Sequence, residues 1–133
     1  MPLLLVFSLR RRPMNINQLI ETALWSSLAL GSSSEDTHFD TLGFTVDDLT
    51  LEAHVRLELE CEEFCRRALA AGIPIHDFED WQHDFWLTRN RHGGGFWQAE
   101  YETPIGLKLT EIAHSFGEVH LYLNDQNEIE VIP

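Results

Sequence analysis

Positive charge is scarce in this chain. Nine lysine and arginine residues stand against 22 aspartate and glutamate residues, which gives a formal net charge of −13. Three of the nine are clustered at residues 10–12, so from Met14 onward six bases face all 22 acids, a net charge of −16. Nucleic acids and anionic membranes are bound through clusters of lysine and arginine. The composition therefore argues against direct binding to either and favours a cationic partner.

Cysteines and long apolar runs are also scarce. Cys61 and Cys65, the only two cysteines, are spaced i, i+4 in a helical pattern, which is not a disulfide framework. We interpret both as reduced core residues of a cytoplasmic protein. The apolar run Pro2–Leu9 is too short to cross a bilayer, and the arginines follow it, whereas those of a signal peptide come first. We expect residues 1–13 to be a disordered or non-native extension ahead of one domain, residues 14–133.

Motifs that would identify a reaction are absent. The chain contains no G-x-S-x-G nucleophile elbow, no P-loop and no H-E-x-x-H pair. Seven histidines and neighbouring acids offer possible ligands, but no zinc-site spacing accompanies them, so neither a metal nor a cofactor is predicted. A non-enzymatic function is favoured over an enzymatic one.

Apolar residues at helical spacing predict three helices. The first runs from Asn15 or Asn17 to about Leu30. The second runs from Thr45, where Thr45-x-x-Asp48 resembles a capping box with a shorter acid, to about Ala71. The third covers about residues 107–116, with Gly117 at its end.

Two stretches predict β-hairpins. Aromatic residues in Phe85–Arg89 and Gly95–Tyr101 favour strands around a turn of asparagine and three glycines. Val119–Leu123 and Glu128–Ile132 favour a second hairpin across an Asn-Asp-Gln-Asn turn. The chain is therefore predicted to be α+β, with two N-terminal helices, then hairpin, helix and hairpin, and an antiparallel sheet packed on one face by helices.

Groups able to bind or react are concentrated in the stretch Asp84–Trp97. The candidate binding residues there are Asp84, Arg89, Asn90 and His92. In an enzyme His92 would act as a base and Arg89 would bind an oxyanion. Alternatively Arg89 pairs with Asp84 to hold the hairpin, and Trp86 and Trp97 face each other across it.

The predicted second helix offers another candidate surface. Several of its glutamates lie off the apolar stripe, and those assigned to binding are Glu52, Glu58, Glu62 and Glu63. An ordinary solvated helix face would explain them. The sharper interpretation is a negatively charged ridge that a basic partner recognises.

The stretch His83–Trp97 resembles a motif, HDFWLTRNxHGxGFW, of small acidic proteins from tailed bacteriophages and related mobile elements. The likeness also includes segments 23–27, 44–49, 106–118 and 121–125, and so covers nearly everything from Met14. Proteins of this family are mostly of unassigned function, so the resemblance transfers no catalytic residue. It implies a phage accessory protein acting in the cytoplasm of an infected bacterium.

Two functional hypotheses follow from these observations. The first is a non-enzymatic protein that binds and modulates a host or phage protein, in an anti-defence or host-takeover role. If its acids imitate DNA phosphates, that partner is a nucleic-acid-binding protein. The second is a small enzyme or ligand-binding domain with its site at the Asp84–Trp97 hairpin. The sequence leaves the oligomeric state open.

Overall fold

The computed structural model describes residues 13–98 and 100–133. The elements in it are α1 (Asn17–Ser26), α2 (Leu51–Ala70), α3 (Trp81–Arg89), α4 (Thr103–His114), β1 (His120–Leu123) and β2 (Ile129–Ile132). Four helices and a two-stranded antiparallel sheet in the described residues confirm the α+β prediction. The expected extension at residues 1–13 lies, apart from Pro13, outside the described part of the chain.

The start of α2 is set by two successive caps. The capping box between Thr45 and Asp48 is present, but it closes a short 3₁₀ turn, Val46–Asp48. Thr50 then caps α2 itself, because its hydroxyl accepts a hydrogen bond from the Ala53 N–H at 3.1 Å. The helix therefore begins later than the sequence pattern predicts. Its buried residues are Ala53, Leu57, Cys61, Phe64, Cys65 and Ala68.

The hairpin of β1 and β2 agrees with the prediction for the C-terminal residues. His120 stands opposite Ile132 and Leu123 opposite Ile129. The turn between the strands is closed by Asn124, whose side-chain oxygen accepts from two backbone N–H groups. Inward-facing Leu121, Leu123 and Ile129 are buried and join the core.

The first predicted hairpin is wrong. Phe85–Arg89 is the second half of helix α3, and no strand forms among the described residues of 95–101. Eight of the nine residues of α3 are buried. The helix therefore has no solvent-exposed polar face, and its sequence lacks the alternation of apolar and polar residues by which an amphipathic helix is predicted. The two tryptophans do not face each other either, since Trp86 is buried while Trp97 is 63% exposed.

A cluster of aromatic rings covers one side of helix α3. Phe64 of α2 lies at the centre, with its ring centroid 4.2 Å from that of Phe85 and stacked on it. Trp81 and Phe96 stack on Phe64 at 5.9 and 5.5 Å. Offset stacking of this kind adds about 0.5–1.5 kcal/mol per pair beyond the area buried. These contacts join α2, α3 and the segment after α3.

Helix α1 begins where α3 supplies a cap. The side-chain oxygen of Gln82 accepts from the Leu19 N–H at 3.3 Å, and its amide donates to the Asn15 carbonyl at 2.9 Å. Asn15 also accepts from the Asn17 N–H at 2.9 Å. The helix ends at Ser26, earlier than predicted, and Leu28 beyond it forms an antiparallel bridge with His38.

Helix α3 ends in a Schellman motif. The His92 N–H donates to the Leu87 carbonyl at 2.8 Å, and the Arg91 N–H donates to the Thr88 carbonyl at 3.1 Å. Arg91 has a φ of 59°, the left-handed conformation for which glycine is preferred. A side chain with a Cβ atom is therefore strained at this position.

We predict that Arg91→Gly raises the free energy of unfolding by about 1 kcal/mol, since glycine removes the Cβ atom that the left-handed conformation disfavours. Urea denaturation measures the change. Arg91→Ala is the matched control: it removes the charge but keeps the Cβ atom, and it should change stability by less than about 0.5 kcal/mol. Equal effects of the two substitutions would contradict the strain at Arg91.

Candidate functional site

Arg89 is a buried connection between three helices. Its Nη1 donates to Glu60 Oε1 of α2 at 2.6 Å, and its Nε and Nη2 donate to the carbonyls of Gly117 and Phe116 at 3.0 and 3.2 Å. Those carbonyls lie just beyond the end of α4, where no further turn of helix supplies backbone N–H groups to donate to them. The guanidinium also lies 5.6 Å from the ring centroid of Phe85.

This arrangement decides between the alternatives for Arg89. Its side chain is 1% exposed, so the structure gives no ligand access to the guanidinium. The expected pair with Asp84 is wrong, because Arg89 pairs with Glu60. Arg89 therefore holds α2, α3 and the end of α4 together.

Asp84 lies on another side of α3 and has different partners. It is buried, and its carboxylate accepts hydrogen bonds from the hydroxyl of Tyr101 and, at 2.8 Å, from Nδ1 of His83. Burial raises the pKa of Tyr101, and the hydrogen bond to Asp84 and the negative charge of that carboxylate raise it further. The buried Tyr101 is therefore a neutral donor to a buried carboxylate.

Asn90 joins α3 to the sheet. Its side-chain oxygen accepts from the Val119 N–H, next to β1, at 2.9 Å, and its amide donates to the Trp86 carbonyl at 3.1 Å. Both functions of the side chain are thus engaged in fixing the position of β1 relative to α3.

The glycine run closes tightly on α3. A Cβ atom on Gly95 would lie 2.0 Å from the hydroxyl oxygen of Thr88, so no other residue fits without displacement. The same hydroxyl accepts from the Phe96 N–H at 3.0 Å and so fixes the ring that stacks on Phe64. Gly95 therefore allows the glycine run to pack closely against Thr88 of α3.

A cleft of about 360 Å³ lies between the end of α1 and the start of β1. Trp86, Leu28, Leu30 and Leu121 give it apolar walls, and Ser26, Ser27, Asn90, His92, Glu118 and His120 give it polar ones. Asn90 and His92 are the two predicted site residues that the structure brings together here. Asp84 and Arg89 do not line it.

The four predicted glutamates of α2 lie next to exposed apolar residues. Leu51, Val55 and Leu59 recur every four residues on the solvent side of the helix, where they are 79%, 41% and 54% exposed. At 100° per residue, Glu58 and Glu62 fall to one side of this row, and Glu52 falls to the other side together with Arg56. Glu63, four residues after Leu59, continues the row itself. We call the three apolar residues with these four glutamates the acid-flanked stripe.

The glutamates of this surface were predicted from the sequence, whereas its exposed apolar residues were not. Their i, i+4, i+8 spacing is a second apolar row opposite the buried one, and that spacing is visible in the sequence. A solvated face seldom carries such a row, because helices usually expose polar residues.

The glutamates of the stripe differ in their pairing. Glu63 accepts two hydrogen bonds from Arg66, at 2.9 and 2.6 Å, and this contact lowers the Glu63 pKa. Glu52 and Glu58 make no ion pair with any described residue. Their charge therefore remains available to a partner.

The two cysteines are buried thiols. Burial raises the pKa of both Cys61 and Cys65, which opposes formation of a thiolate nucleophile. Cys65 Sγ lies 3.3 Å from Nε2 of His76. Within residues 13–98 and 100–133, no three histidine, cysteine, aspartate or glutamate side chains are arranged to hold a metal ion.

No protein-family model matches the chain, and neither does any curated protein sequence or solved structure. Among the described residues, no helix is both long enough and apolar enough to cross a membrane. Function must therefore be inferred from the residues and their geometry.

We predict that Arg89→Met lowers the free energy of unfolding by about 3 kcal/mol, because it removes the buried partner of the Glu60 carboxylate and leaves two carbonyls beyond α4 without their donor. Arg56→Met is the matched control. Arg56 contacts the same glutamate at 3.7 Å from an exposed position, and its loss should cost less than about 1 kcal/mol. Urea denaturation compares the two, and similar losses would contradict the role given to Arg89.

We also predict that stability falls as the pH rises above about 10. The folded pKa of Tyr101 lies above its ordinary value of 10.0, at which the unfolded chain ionises. The stabilisation is therefore fully present below that pH and is lost above it. In a Tyr122→Phe background, which leaves Tyr101 as the only tyrosine, tyrosinate absorbance should appear only as circular dichroism reports unfolding. Ionisation of Tyr101 in the folded protein would refute the prediction.

Proposed function

We propose that this protein is a non-enzymatic accessory protein of a tailed bacteriophage that binds a basic partner protein through the acid-flanked stripe. The partner belongs to the host or the phage, and binding modulates its activity in the cytoplasm of the infected bacterium. The observation that carries the proposal is the row Leu51, Val55 and Leu59, exposed with Glu58 on one side of it and Glu52 on the other.

The stripe fits a particular kind of occupant. Three apolar side chains spaced by four residues extend over about 12 Å of helix, which suits the apolar face of a second helix. Glutamates on both sides complement lysine or arginine at the edges of that face. The occupant is therefore a basic amphipathic helix.

A second copy of this chain fits the stripe less well. Two stripes packed together would bring the glutamates of one α2 close to those of the other, and like charges at an interface are repulsive. The net charge of −16 from Met14 onward also opposes the association of two copies of the chain.

Charge also favours one class of partner. Proteins that bind nucleic acids carry clustered lysine and arginine to contact phosphates. Carboxylates of the stripe can occupy those basic residues in place of phosphates, which is the DNA-mimic form of the proposal. The phage assignment is supported by the resemblance of the His83–Trp97 motif.

A synthetic amphipathic helix of leucine and lysine tests the stripe directly. We expect it to bind, and we expect Leu51→Ser with Leu59→Ser to weaken binding at least tenfold, a loss of about 1.4 kcal/mol. Glu52→Gln with Glu58→Gln should weaken binding and reduce its dependence on salt. Isothermal titration calorimetry at several salt concentrations measures both effects.

Two controls make this experiment decisive. Leu107→Ser removes an equally exposed leucine from α4, outside the stripe, and should leave affinity unchanged. A peptide of the same composition in scrambled order lacks an apolar face and should bind weakly. If the scrambled peptide binds equally well, or if the stripe variants behave like Leu107→Ser, the stripe is not the binding surface.

Pull-down from bacterial lysate tests the DNA-mimic form. We expect enrichment of nucleic-acid-binding or defence proteins, lost in the Glu52→Gln, Glu58→Gln variant and reduced at high salt. Binding that is insensitive to salt would count against mimicry of DNA phosphates.

The cleft favours a second candidate function, binding of a small ligand or peptide beside Asn90 and His92. Its volume lies at the lower end of the range of about 300–1,000 Å³ typical of ligand pockets. The enzymatic form of this hypothesis loses its oxyanion-binding residue, because Arg89 is buried against Glu60. Ligand binding without catalysis is therefore the form that the geometry supports.

A further inference from the structure

A pocket of about 290 Å³ lies between helix α1 and the segment before α2, and it shares no lining residue with the cleft or the acid-flanked stripe. Its walls combine an exposed indole, two carboxylates and apolar side chains. They are formed by Glu21, Leu24, Trp25, Asp40, Phe44, Thr45 and Val46. Pockets for small-molecule ligands typically measure about 300–1,000 Å³, so this one suits a single side chain better than a whole metabolite.

Trp25 forms the aromatic wall of the pocket. It is 46% exposed, and its ring centroid lies 5.8 Å from that of His83 on α3. Glu21 precedes it by four residues on the same helix, so the two side chains are neighbours on one helix face. Among aromatic side chains, tryptophan attracts cations to its π face most strongly. The indole and the carboxylate beside it are therefore both groups that attract a positive charge.

Asp40 supplies the second carboxylate and is held beside the end of α1. Its N–H donates to the Leu24 carbonyl at 3.3 Å, and its Oδ1 accepts from the Thr41 N–H at 2.8 Å. Among the described residues, Oδ2 of Asp40 has no hydrogen-bond donor, and neither Asp40 nor Glu21 forms an ion pair. The pocket therefore presents two negative charges that no described lysine or arginine neutralises.

We propose that this pocket binds the guanidinium group of an arginine side chain on the surface of a partner protein. A guanidinium is planar and weakly hydrated, so it can lie on the indole of Trp25 while its N–H groups donate to Asp40 and Glu21. A lysine ammonium has neither the plane nor the fork of donors. The inference goes beyond the proposed function, because the site is separate from the acid-flanked stripe and does not depend on it.

The charge of the pocket favours a protein side chain over the amino acid arginine itself. Arginine in solution carries an α-carboxylate, which Glu21 and Asp40 would repel. In a polypeptide that carboxylate is replaced by a neutral amide, and only the attractive guanidinium remains. The net charge of −16 from Met14 onward also attracts a basic protein.

Three blocked amino acids test the chemistry of the pocket. They are the acetyl, methylamide derivatives of arginine, lysine and citrulline, and citrulline has the shape of arginine with a neutral urea in place of the guanidinium. Titrations are followed at the indole N–H resonance of Trp25 in nitrogen-15 labelled protein. We expect millimolar binding of the arginine derivative, weaker binding of the lysine derivative, and binding of the citrulline derivative that is at least about tenfold weaker.

Variants locate the binding. Trp25→Leu removes the π face, and Asp40→Asn removes a charge while keeping an oxygen for the Thr41 N–H. Each should weaken arginine binding at least about threefold, measured at the backbone amide resonances of the pocket. Trp97→Leu and Asp125→Asn are matched controls, because both residues are exposed and lie outside the pocket, and they should leave the affinity unchanged. Circular dichroism confirms that the variants are folded, and the three ligands test the unaltered protein if one is not.

Several results would overturn the inference. Equal binding of the arginine and citrulline derivatives, no shift at millimolar ligand, or pocket variants that behave like their controls would each do so. Tighter binding of the lysine derivative would refute the guanidinium assignment, and tighter binding of unblocked arginine would refute the protein side chain as its source.

The same variants separate this inference from the proposed function. Glu52→Gln with Glu58→Gln, on the acid-flanked stripe, should leave binding of the arginine derivative unchanged. Trp25→Leu should leave binding of the leucine and lysine helix to the stripe unchanged. Loss of arginine binding in the stripe variant would place the guanidinium on the stripe and overturn the inference.

Discussion

The buried guanidinium of Arg89 is the constraint on which the arrangement of the helices depends. A charge removed from water is strongly destabilising unless it is paired and fully hydrogen-bonded. Here the partners come from two other elements, the Glu60 carboxylate of α2 and the carbonyls of Phe116 and Gly117 beyond α4. Displacing α2 or the end of α4 would leave a buried charge unpaired, so their positions relative to α3 are fixed together.

Other polar side chains of α3 act in the same way, each toward a different neighbour. Gln82 caps α1, Asp84 accepts from Tyr101, Thr88 accepts from the backbone of Phe96, and Asn90 accepts from Val119. A helix enclosed on all sides satisfies its polar groups only through such contacts. The polar residues that suggested an active site therefore mainly connect elements. The proposed binding surfaces are the acid-flanked stripe of α2, the cleft between the end of α1 and the start of β1, and the pocket at Trp25.

Local signals in the sequence predicted local structure well. The Thr45–Asp48 capping box, the apolar row of α2 and the turn at Asn124 each depend on residues within a few positions of one another. Helix α3 was not predictable in the same way. Because nearly all of its residues are buried, its sequence shows no alternation of apolar and polar residues at helical spacing. Its aromatic residues are also of types that are common in β-strands, which favoured the wrong prediction. The ends of α1 also depended on distant residues, since Gln82 caps its start and His38 forms the bridge beyond its end.

The sequence by itself determined the charge, the caps and turns, and the two rows of apolar residues on α2. Each of these follows from composition or from spacing within one element. Only the tertiary structure decided which row of α2 is buried, which carboxylate pairs with Arg89, and which residues line the cleft beside Asn90 and His92. Those outcomes depend on contacts between residues far apart in the chain, such as Glu60 with Arg89 and Leu30 with Leu123. The physical reason is that burial and hydrogen-bond pairing are set by neighbours in space, which spacing along the chain does not specify.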